Sequence, residues 1–297
     1  MKQLFAALFL WLPLSAHAAL NVFACEPEWG ALARELGGDA VKVYTATTAM
    51  QDPHRIEARP SLIAQTRRAD LVVCTGAELE VGWLPLLLRE SGNAEIQPGR
   101  PGYFEAARYV AMLDKPARID RSQGDVHAAG NPHIQTDPRN IARVAAALSL
   151  RLAEVDPGNA AVYQARWKDF SARWEVAIAR WQQQALPLKG MPVVVQHKSF
   201  SYLLNWLSLR EVATLEPKPG VEPSLGYLAE IAARLKTTPA KAVLRASYQS
   251  PRASEWLAER ANIPAVALPF TVGGAAGTDD LFGVFDVTLA ELLKVPR

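Results

Sequence analysis

The chain has 297 residues, of which 49% are hydrophobic and 21% are charged, and its formal net charge at pH 7 is +2. This composition is typical of a globular protein, and the length suffices for one large domain or two medium ones. The nearly balanced charge leaves no basic stripe for nucleic acid and no polybasic patch for a membrane surface. We therefore expect two lobes and no nucleic-acid partner.

The first 18 residues have the pattern of a cleaved secretory signal. A basic residue precedes an apolar run at residues 4–14, and a small-x-small cleavage site ends at Ala18. The run is too short to span a bilayer and contains a proline, which disfavours a membrane anchor. A lipoprotein is disfavoured because bulky Phe23 stands before Cys25 where lipidation needs a small residue. We predict an exported, soluble mature chain that starts near Ala19.

Short β-branched runs alternate with longer helical patterns along residues 19–155, which favours a parallel sheet with helical crossovers. Strands are predicted in LNVFAC, VKVYTAT and DLVVCTG, with a weaker signal in YFEAARYVAML. Helices are predicted in EPEWGALARELGG, SLIAQTRRAD, VGWLPLLLRES and DPRNIARVAAALSLRLAEVD. The last of these begins with Asp137 as its N-cap and Pro138 in its first turn, a strong start signal.

Residues 187–297 show the same alternation of strands and helices. Strands are predicted in PVVVQH, REVATLEP, AKAVLRASY and IPAVALPF. Helices are predicted in SYLLNWLS, SLGYLAEIAARLK, PRASEWLAERAN and DDLFGVFDVTLAELLKV. The pattern predicts a second α/β lobe.

Between the two halves, residues 156–186 form an unbroken helical pattern of about seven turns. Trp167, Trp174 and Trp181 recur at a spacing of seven residues, so they lie on one face of this helix. We predict that the tryptophan stripe packs across both lobes; a row that binds a ligand is the alternative. The predicted fold is thus α/β, with lobes at 19–155 and 187–297, each built on a parallel sheet, joined by one long rigid helix.

Two cysteines, Cys25 and Cys74, each end an apolar strand-like run. In an oxidising compartment two such residues on neighbouring strands can pair, whereas the alternative is two small buried hydrophobic side chains. We predict the disulfide.

Three histidines lie where a strand or loop meets a helix. His54 in QDPHRIEARPS and His133 in GNPHIQTDPRN directly follow a proline, and His197 ends the strand PVVVQH. Proline stiffens the backbone, so the imidazole that follows it loses little orientational freedom on binding. Imidazole nitrogens are good ligands of Zn²⁺. The sequence therefore predicts a zinc site that uses these three side chains.

Other polar residues complete the predicted site. Asp52 and Asn131, each two positions before one of the Pro-His histidines, can orient an imidazole. A tetrahedral site needs a fourth ligand. Asp279 and Asp280 open the last helix, where one can cap the helix while the other coordinates, or both can serve the helix alone. His127 lies in a polar loop and is interpreted as a solvated residue that at most samples metal weakly.

The order of these motifs resembles that of the periplasmic metal-binding proteins that serve zinc and manganese ABC importers. The resemblance covers nearly the whole mature chain and rests on QDPHRIEARPS, ADLVVCTGAELE, NPHIQTDP, the long linking helix, HKSFSY, VEPSLGYLAEI and GTDDLFGVF. It implies metal ligands at four positions: His54, His133, His197 and Asp279, with Asp280 as the alternative to Asp279. The third of these positions is His197, and in this family a histidine there, rather than a carboxylate, implies zinc rather than manganese. This agrees with the preference of zinc for imidazole ligands.

The resemblance implies a monomeric, periplasmic solute-binding protein. Such a protein captures Zn²⁺ in the cleft between the lobes and delivers it to an ABC permease in the inner membrane. The chain departs from the family pattern in three ways. The long His-rich loop before the second Pro-His is absent and leaves only His127, Gln135 replaces a frequent aromatic residue, and no glycine precedes Asp-Pro-His.

Two other functions are alternatives to transport. A zinc hydrolase needs an open coordination position and a general base, for which Glu78, Glu80 and Glu222 are the candidates. Four protein ligands close the coordination sphere, and no His-Glu-x-x-His segment is present, so we predict that the chain is not an enzyme. A manganese-binding or adhesin-like protein, in which the metal is only structural, is the other alternative.

Overall fold

The computed structural model describes residues 18–116, 124 and 126–296. The predicted signal segment, apart from Ala18, lies outside the described residues. So does most of the polar loop that precedes His127.

The first lobe is built on a parallel sheet of four strands: β1 (Leu20–Ala24), β2 (Val41–Thr45), β3 (Leu71–Cys74) and β4 (Tyr103–Glu105). The strand order is β2-β1-β3-β4. Its helices are α1 (Pro27–Gly37), α2 (Pro60–Arg67), α3 (Leu84–Ser91) and α4 (Pro138–Val155). All four residues of β3 are buried, as expected for an inner parallel strand with both faces covered.

The second lobe repeats this architecture. Its strands are β5 (Pro192–Val195), β6 (Arg210–Thr214), β7 (Ala242–Ala246) and β8 (Ala265–Leu268), parallel and in the order β6-β5-β7-β8. Its helices are α6 (Ser201–Leu207), α7 (Leu225–Leu235), α8 (Arg252–Ala261) and α9 (Leu281–Leu293). Two parallel sheets with surrounding helices confirm the predicted α/β fold; the exact lobe boundaries stay a prediction.

The helix α5 (Ala160–Ala185) connects the lobes over 26 residues, or about 39 Å. Trp174 and Trp181 on this helix are fully buried, whereas Trp167 is partly buried. The indole N–H of Trp174 donates to the carbonyl oxygen of Pro138 in the first lobe at 2.8 Å. The same ring lies 4.7 Å, centroid to centroid, from that of Phe282 in the second lobe. The prediction that this stripe packs across both lobes is therefore confirmed.

The disulfide between Cys25 and Cys74 is present, as predicted, with a Cα–Cα distance of 4.8 Å. It joins the carboxyl ends of the neighbouring strands β1 and β3, and both cysteines are fully buried. Closing a loop of about 50 residues stabilises a protein by about 4 kcal/mol in the chain-entropy account. The disulfide therefore fixes the strand ends from which the loops of the first lobe emerge.

Three buried carboxyl groups, those of Glu26, Glu28 and Glu80, lie beside this disulfide and the start of α1. Backbone N–H groups of the β3–α3 loop donate to Glu80, and the Thr271 hydroxyl of the second lobe donates to Glu28 at 2.5 Å. Burial raises the pKa of Glu28 and that of Glu80 to about 7. The contact between Glu28 and Thr271 joins the two lobes through a carboxyl group that titrates near neutrality.

The Glu28→Gln variant is expected to reduce the dependence of stability on pH. The folded state holds the Glu28 proton up to a pKa of about 7, above the ordinary value of 4.5. The contribution of the protonated Glu28 carboxyl group to the free energy of unfolding is therefore complete below pH 4.5. It is lost as the pH rises towards 7, by about 1.4 kcal/mol per pH unit. Urea unfolding between pH 5 and 7 should show a shallower decline for Glu28→Gln. An unchanged slope, equal to that of a Glu57→Gln control at an exposed position, would contradict this account.

Candidate metal centre

Three histidines from three separate segments meet between the lobes. His54 lies in the loop between β2 and α2, His133 precedes the short 3₁₀ turn before α4, and His197 follows β5. One ring nitrogen of each lies within 4.8 Å of the others. The three ring centroids are 5.2, 5.3 and 5.8 Å apart. We call these three residues the histidine group.

The spacing of these nitrogens fits a tetrahedral metal ion. Nε2 of His133 and Nε2 of His197 are 3.2 Å apart. Two nitrogens bound at about 2.0–2.1 Å to a tetrahedral zinc ion are separated by about 3.3 Å. The pair needs almost no rearrangement to share an ion.

Burial favours the neutral form of His133, which is the form that binds metal. His133 is 1% exposed, and burial lowers its pKa well below the ordinary value of 6.5. The neighbouring imidazoles of His54, His197 and His127 lower it further. Nε2 of His54 and Nδ1 of His133 are buried and have no hydrogen-bond partner among the described residues. A buried polar atom without a partner is costly, so an ion bound by Nε2 of His54 would compensate that atom for its loss of water.

A carboxylate orients each of two histidines. Oδ1 of Asp52 lies 2.7 Å from Nδ1 of His54 and also accepts the backbone N–H of His54, which confirms the predicted contact. Burial opposes the ionisation of Asp52, but the hydrogen bond and the charge interaction with His54 outweigh it and lower the pKa of Asp52. Oε2 of Glu216 lies 2.7 Å from Nδ1 of His197. In both histidines Nε2 is left for a metal, the arrangement typical of metal-binding imidazoles.

Sequence reasoning missed Glu216, which follows β6 and lies 19 residues from His197. A signal was present, because Glu216 directly precedes a proline, as Asp52 does. It also follows the strand beside β5, and the carboxyl ends of neighbouring parallel strands meet at one edge of the sheet.

Asn131 was predicted to orient an imidazole but has another role. Its Oδ1 accepts the backbone N–H of His133 at 3.0 Å, and its amide nitrogen donates to the carbonyl oxygen of Lys198 and to Oγ of Ser201. Asp114 accepts hydrogen bonds from both this amide and the Ser201 hydroxyl. Asn131 therefore fixes the backbone of His133 and bonds it to the second lobe, directly beside His197.

The predicted acidic ligands do not belong to the histidine group. Asp279 and Asp280 are exposed, and Oδ1 of Asp280 accepts the backbone N–H of Gly283 at 2.8 Å as the N-cap of α9. The capping role that the sequence indicated for one of this pair is present. The ligand role of Asp279, with Asp280 as its alternative, stays a prediction.

The predicted general bases also lie outside the group. Glu80 is buried beside the disulfide and accepts backbone N–H groups, Glu78 accepts the N–H of Ala128 at 2.6 Å, and Glu222 is exposed. His127 is half-buried, and its ring lies 5.4 Å from that of His54. It also lines a cavity of about 350 Å³ together with His133 and His197. It is therefore a neighbour of the histidine group.

The Glu216→Ala variant is expected to weaken zinc binding by about 10- to 100-fold, because His197 loses the partner that fixes its ring and its tautomer. Glu216→Gln, whose amide oxygen can still accept from Nδ1, should recover part of this loss. Chelator-competition titration measures both values. Glu211→Ala, at an exposed position of the preceding strand β6, is the control. Equal affinities for Glu216→Ala and this control would contradict the orienting role.

Residues 22–294 match the family model described as "ZnuA: Zinc-uptake complex component A periplasmic". The chain belongs to this family. It is 21% identical over 262 residues to the metal ABC transporter substrate-binding lipoprotein ScbA of Streptococcus cristatus, covering 86% of this chain and 81% of ScbA. It is 25% identical over 156 residues to the manganese ABC transporter substrate-binding lipoprotein scaA of Streptococcus gordonii. That match spans about half of each protein, 52% of this chain and 48% of scaA.

The fold of ZnuA itself is similar. A solved structure described as the crystal structure of ZnuA superposes with a TM-score of 0.76 at 23% identity, over 93% of this chain and 99% of that one. Members of the ZnuA family are substrate-binding components of transport systems, which confirms both the resemblance and the prediction that this chain is not an enzyme. The chain is thus a metal-binding protein of the ABC substrate-binding class. Among the residues that the structure describes, no helix has the length and apolar character needed to cross a membrane.

Proposed function

We propose that this chain captures Zn²⁺ in the periplasm and delivers it to an ABC permease in the inner membrane. The observation that supports this most is the meeting of three imidazoles, those of His54, His133 and His197, with ligand nitrogens within 4.8 Å. Imidazole-rich sites suit zinc, whereas manganese prefers oxygen ligands. Manganese is the second candidate because scaA carries that metal in its name.

In this proposal two ligands come from the first lobe and one from the second. A bound ion therefore ties the lobes together, and the hydrogen bonds of Asn131 to Lys198 and Ser201 preform the junction. The fourth position is open to another side chain, for which the sequence proposes Asp279, or Asp280 in its place. We further propose that residues 1–18 are removed as a signal, and that the mature monomer consists of lobes at 19–155 and 187–297 and a linking helix at 156–186.

The test is the metal content of the protein purified from periplasm, measured by elemental mass spectrometry. We expect about one zinc ion per chain, as a single four-ligand site holds, and almost none in a His197→Ala variant. Lys198→Ala, at the exposed next position, is the matched control and should retain the metal. Manganese in place of zinc would overturn the metal assignment. Zinc that survives His197→Ala unchanged would overturn the site.

A further inference from the structure

A tetrahedral zinc ion takes four ligands, and the histidine group supplies three. We propose that the imidazole of His127 supplies the fourth. This inference rests on the proposed zinc site and names the residue that completes it. It would make the coordination sphere one of four imidazoles.

The first support is the position of the His127 ring. Its centroid lies 5.4 Å from that of His54, within the 5.2–5.8 Å that separate the rings of the histidine group from one another. His127 lies outside the set of nitrogens that are all within 4.8 Å, so a side-chain rotation accompanies coordination. The cavity it shares with His133 and His197 gives the ring room for that rotation.

The second support is the backbone around His127, which the first lobe holds in place. The N–H of Ala128 donates to Oε2 of Glu78 at 2.6 Å, and the N–H of Gly130 donates to the carbonyl oxygen of His127 at 3.1 Å. Gly130 has a φ of +114°, and a Cβ atom there would lie 2.6 Å from the carbonyl oxygen of Leu113. Only glycine fits this turn without displacement of the backbone.

The backbone of Glu78 is strained. It has a φ of +66°, and the preceding Ala77 has a φ of +52°, a left-handed conformation that non-glycine residues rarely adopt. Strain of this kind persists where the surroundings impose it and is concentrated at functional sites. Glu78 is therefore assigned as a positioning residue that holds the turn carrying His127 beside the histidine group.

The rival fourth ligand is Asp279. It is exposed, and its neighbour Asp280 is engaged as the cap of α9. The two candidate ligands differ in the atom that they offer to the metal. A fourth imidazole makes the ligand set all nitrogen, which discriminates more strongly against manganese than three imidazoles and one carboxylate do. His127 would thus act as a determinant of metal specificity.

The affinity test compares zinc and manganese binding to the wild type and to variants by chelator competition. His127→Ala is expected to bind zinc at least about tenfold more weakly, with a smaller loss for manganese. Ala129→Ser, at an exposed position of the same turn, should bind both metals as the wild type does. Wild-type zinc affinity in His127→Ala, with the loss shifted to Asp279→Ala, would overturn the proposal.

Two further measurements distinguish the positioning role of Glu78 from the ligand role of His127. Glu78→Ala should weaken zinc binding in the wild type but not in the His127→Ala background, whereas a merely structural Glu78 would weaken binding in both. Zinc-edge X-ray absorption of the wild type counts imidazoles directly and needs no variant to fold: four support the proposal, and three with an oxygen ligand overturn it. If His133→Gln also bound zinc normally, the proposed function would fail, and not only this inference.

Discussion

Replacing His133 with glutamine is expected to lower the zinc affinity of the protein by at least about 100-fold, beyond the usual loss for an orienting residue. His133 is 1% exposed, its pKa is held low by burial, and its Nε2 faces that of His197 at 3.2 Å. Glutamine has a similar volume but offers no imidazole nitrogen to the ion. Competition against a chromophoric chelator at constant pH measures the change.

The control for this variant is Gln135→Ala, which removes another buried polar side chain two residues further along the chain, outside the histidine group. It should bind zinc within about threefold of the wild type, a difference of about 0.7 kcal/mol in binding free energy, because Gln135 is not one of the clustered ligand residues. Thermal unfolding without metal distinguishes loss of a ligand from loss of fold. Tight zinc binding by a folded His133→Gln variant would remove His133 from the site.

The Trp174→Ala variant is expected to lower the free energy of unfolding by about 3–5 kcal/mol, the usual cost of truncating a buried aromatic residue. Trp174 is fully buried, donates a hydrogen bond to Pro138 in the first lobe, and packs on Phe282 and Phe285 of the second. Its loss leaves a cavity where α5 contacts both lobes and removes the hydrogen bond to the Pro138 carbonyl oxygen. Urea unfolding of the metal-free protein measures the change.

Trp167→Ala is the matched control, since Trp167 lies on the same face of α5 but is only partly buried. Its loss of stability should be clearly smaller than that of Trp174→Ala. Equal losses would mean that the contacts of Trp174 with the two lobes contribute little. Zinc should restore part of the lost stability in both variants, because a ligand that binds only the folded state stabilises it.

The fold follows largely from patterns that act locally. Buried runs such as LVVC in β3 and the Asp137–Pro138 start of α4 place these elements, and the N-cap bond from Asp137 to the Arg139 N–H is present. The strand β4 gave a weaker signal because it has only three residues and lies at the sheet edge. Local chemistry determines such elements, so a single sequence suffices to predict them.

The site follows from the sequence only in part. Proline before His54 and His133 marked two stiff imidazoles, and Asp52 lies close enough along the chain to be predicted as the orienter of the first. The proline after Glu216 was a signal, but the pairing of Glu216 with His197, which follows the neighbouring strand, depends on the register of the sheet. The position of His127 beside His54 depends on a turn that Glu78, 49 residues earlier in the chain, holds by a hydrogen bond to Ala128. No local sequence pattern predicts such a contact.

The most direct test of the account is a crystal structure of the zinc-loaded protein with anomalous scattering measured at the zinc edge. One strong peak is expected between the lobes, about 2.0–2.1 Å from a ring nitrogen of each of His54, His133 and His197. A zinc peak at another place, or an ion bound without one of these three imidazoles, would contradict it.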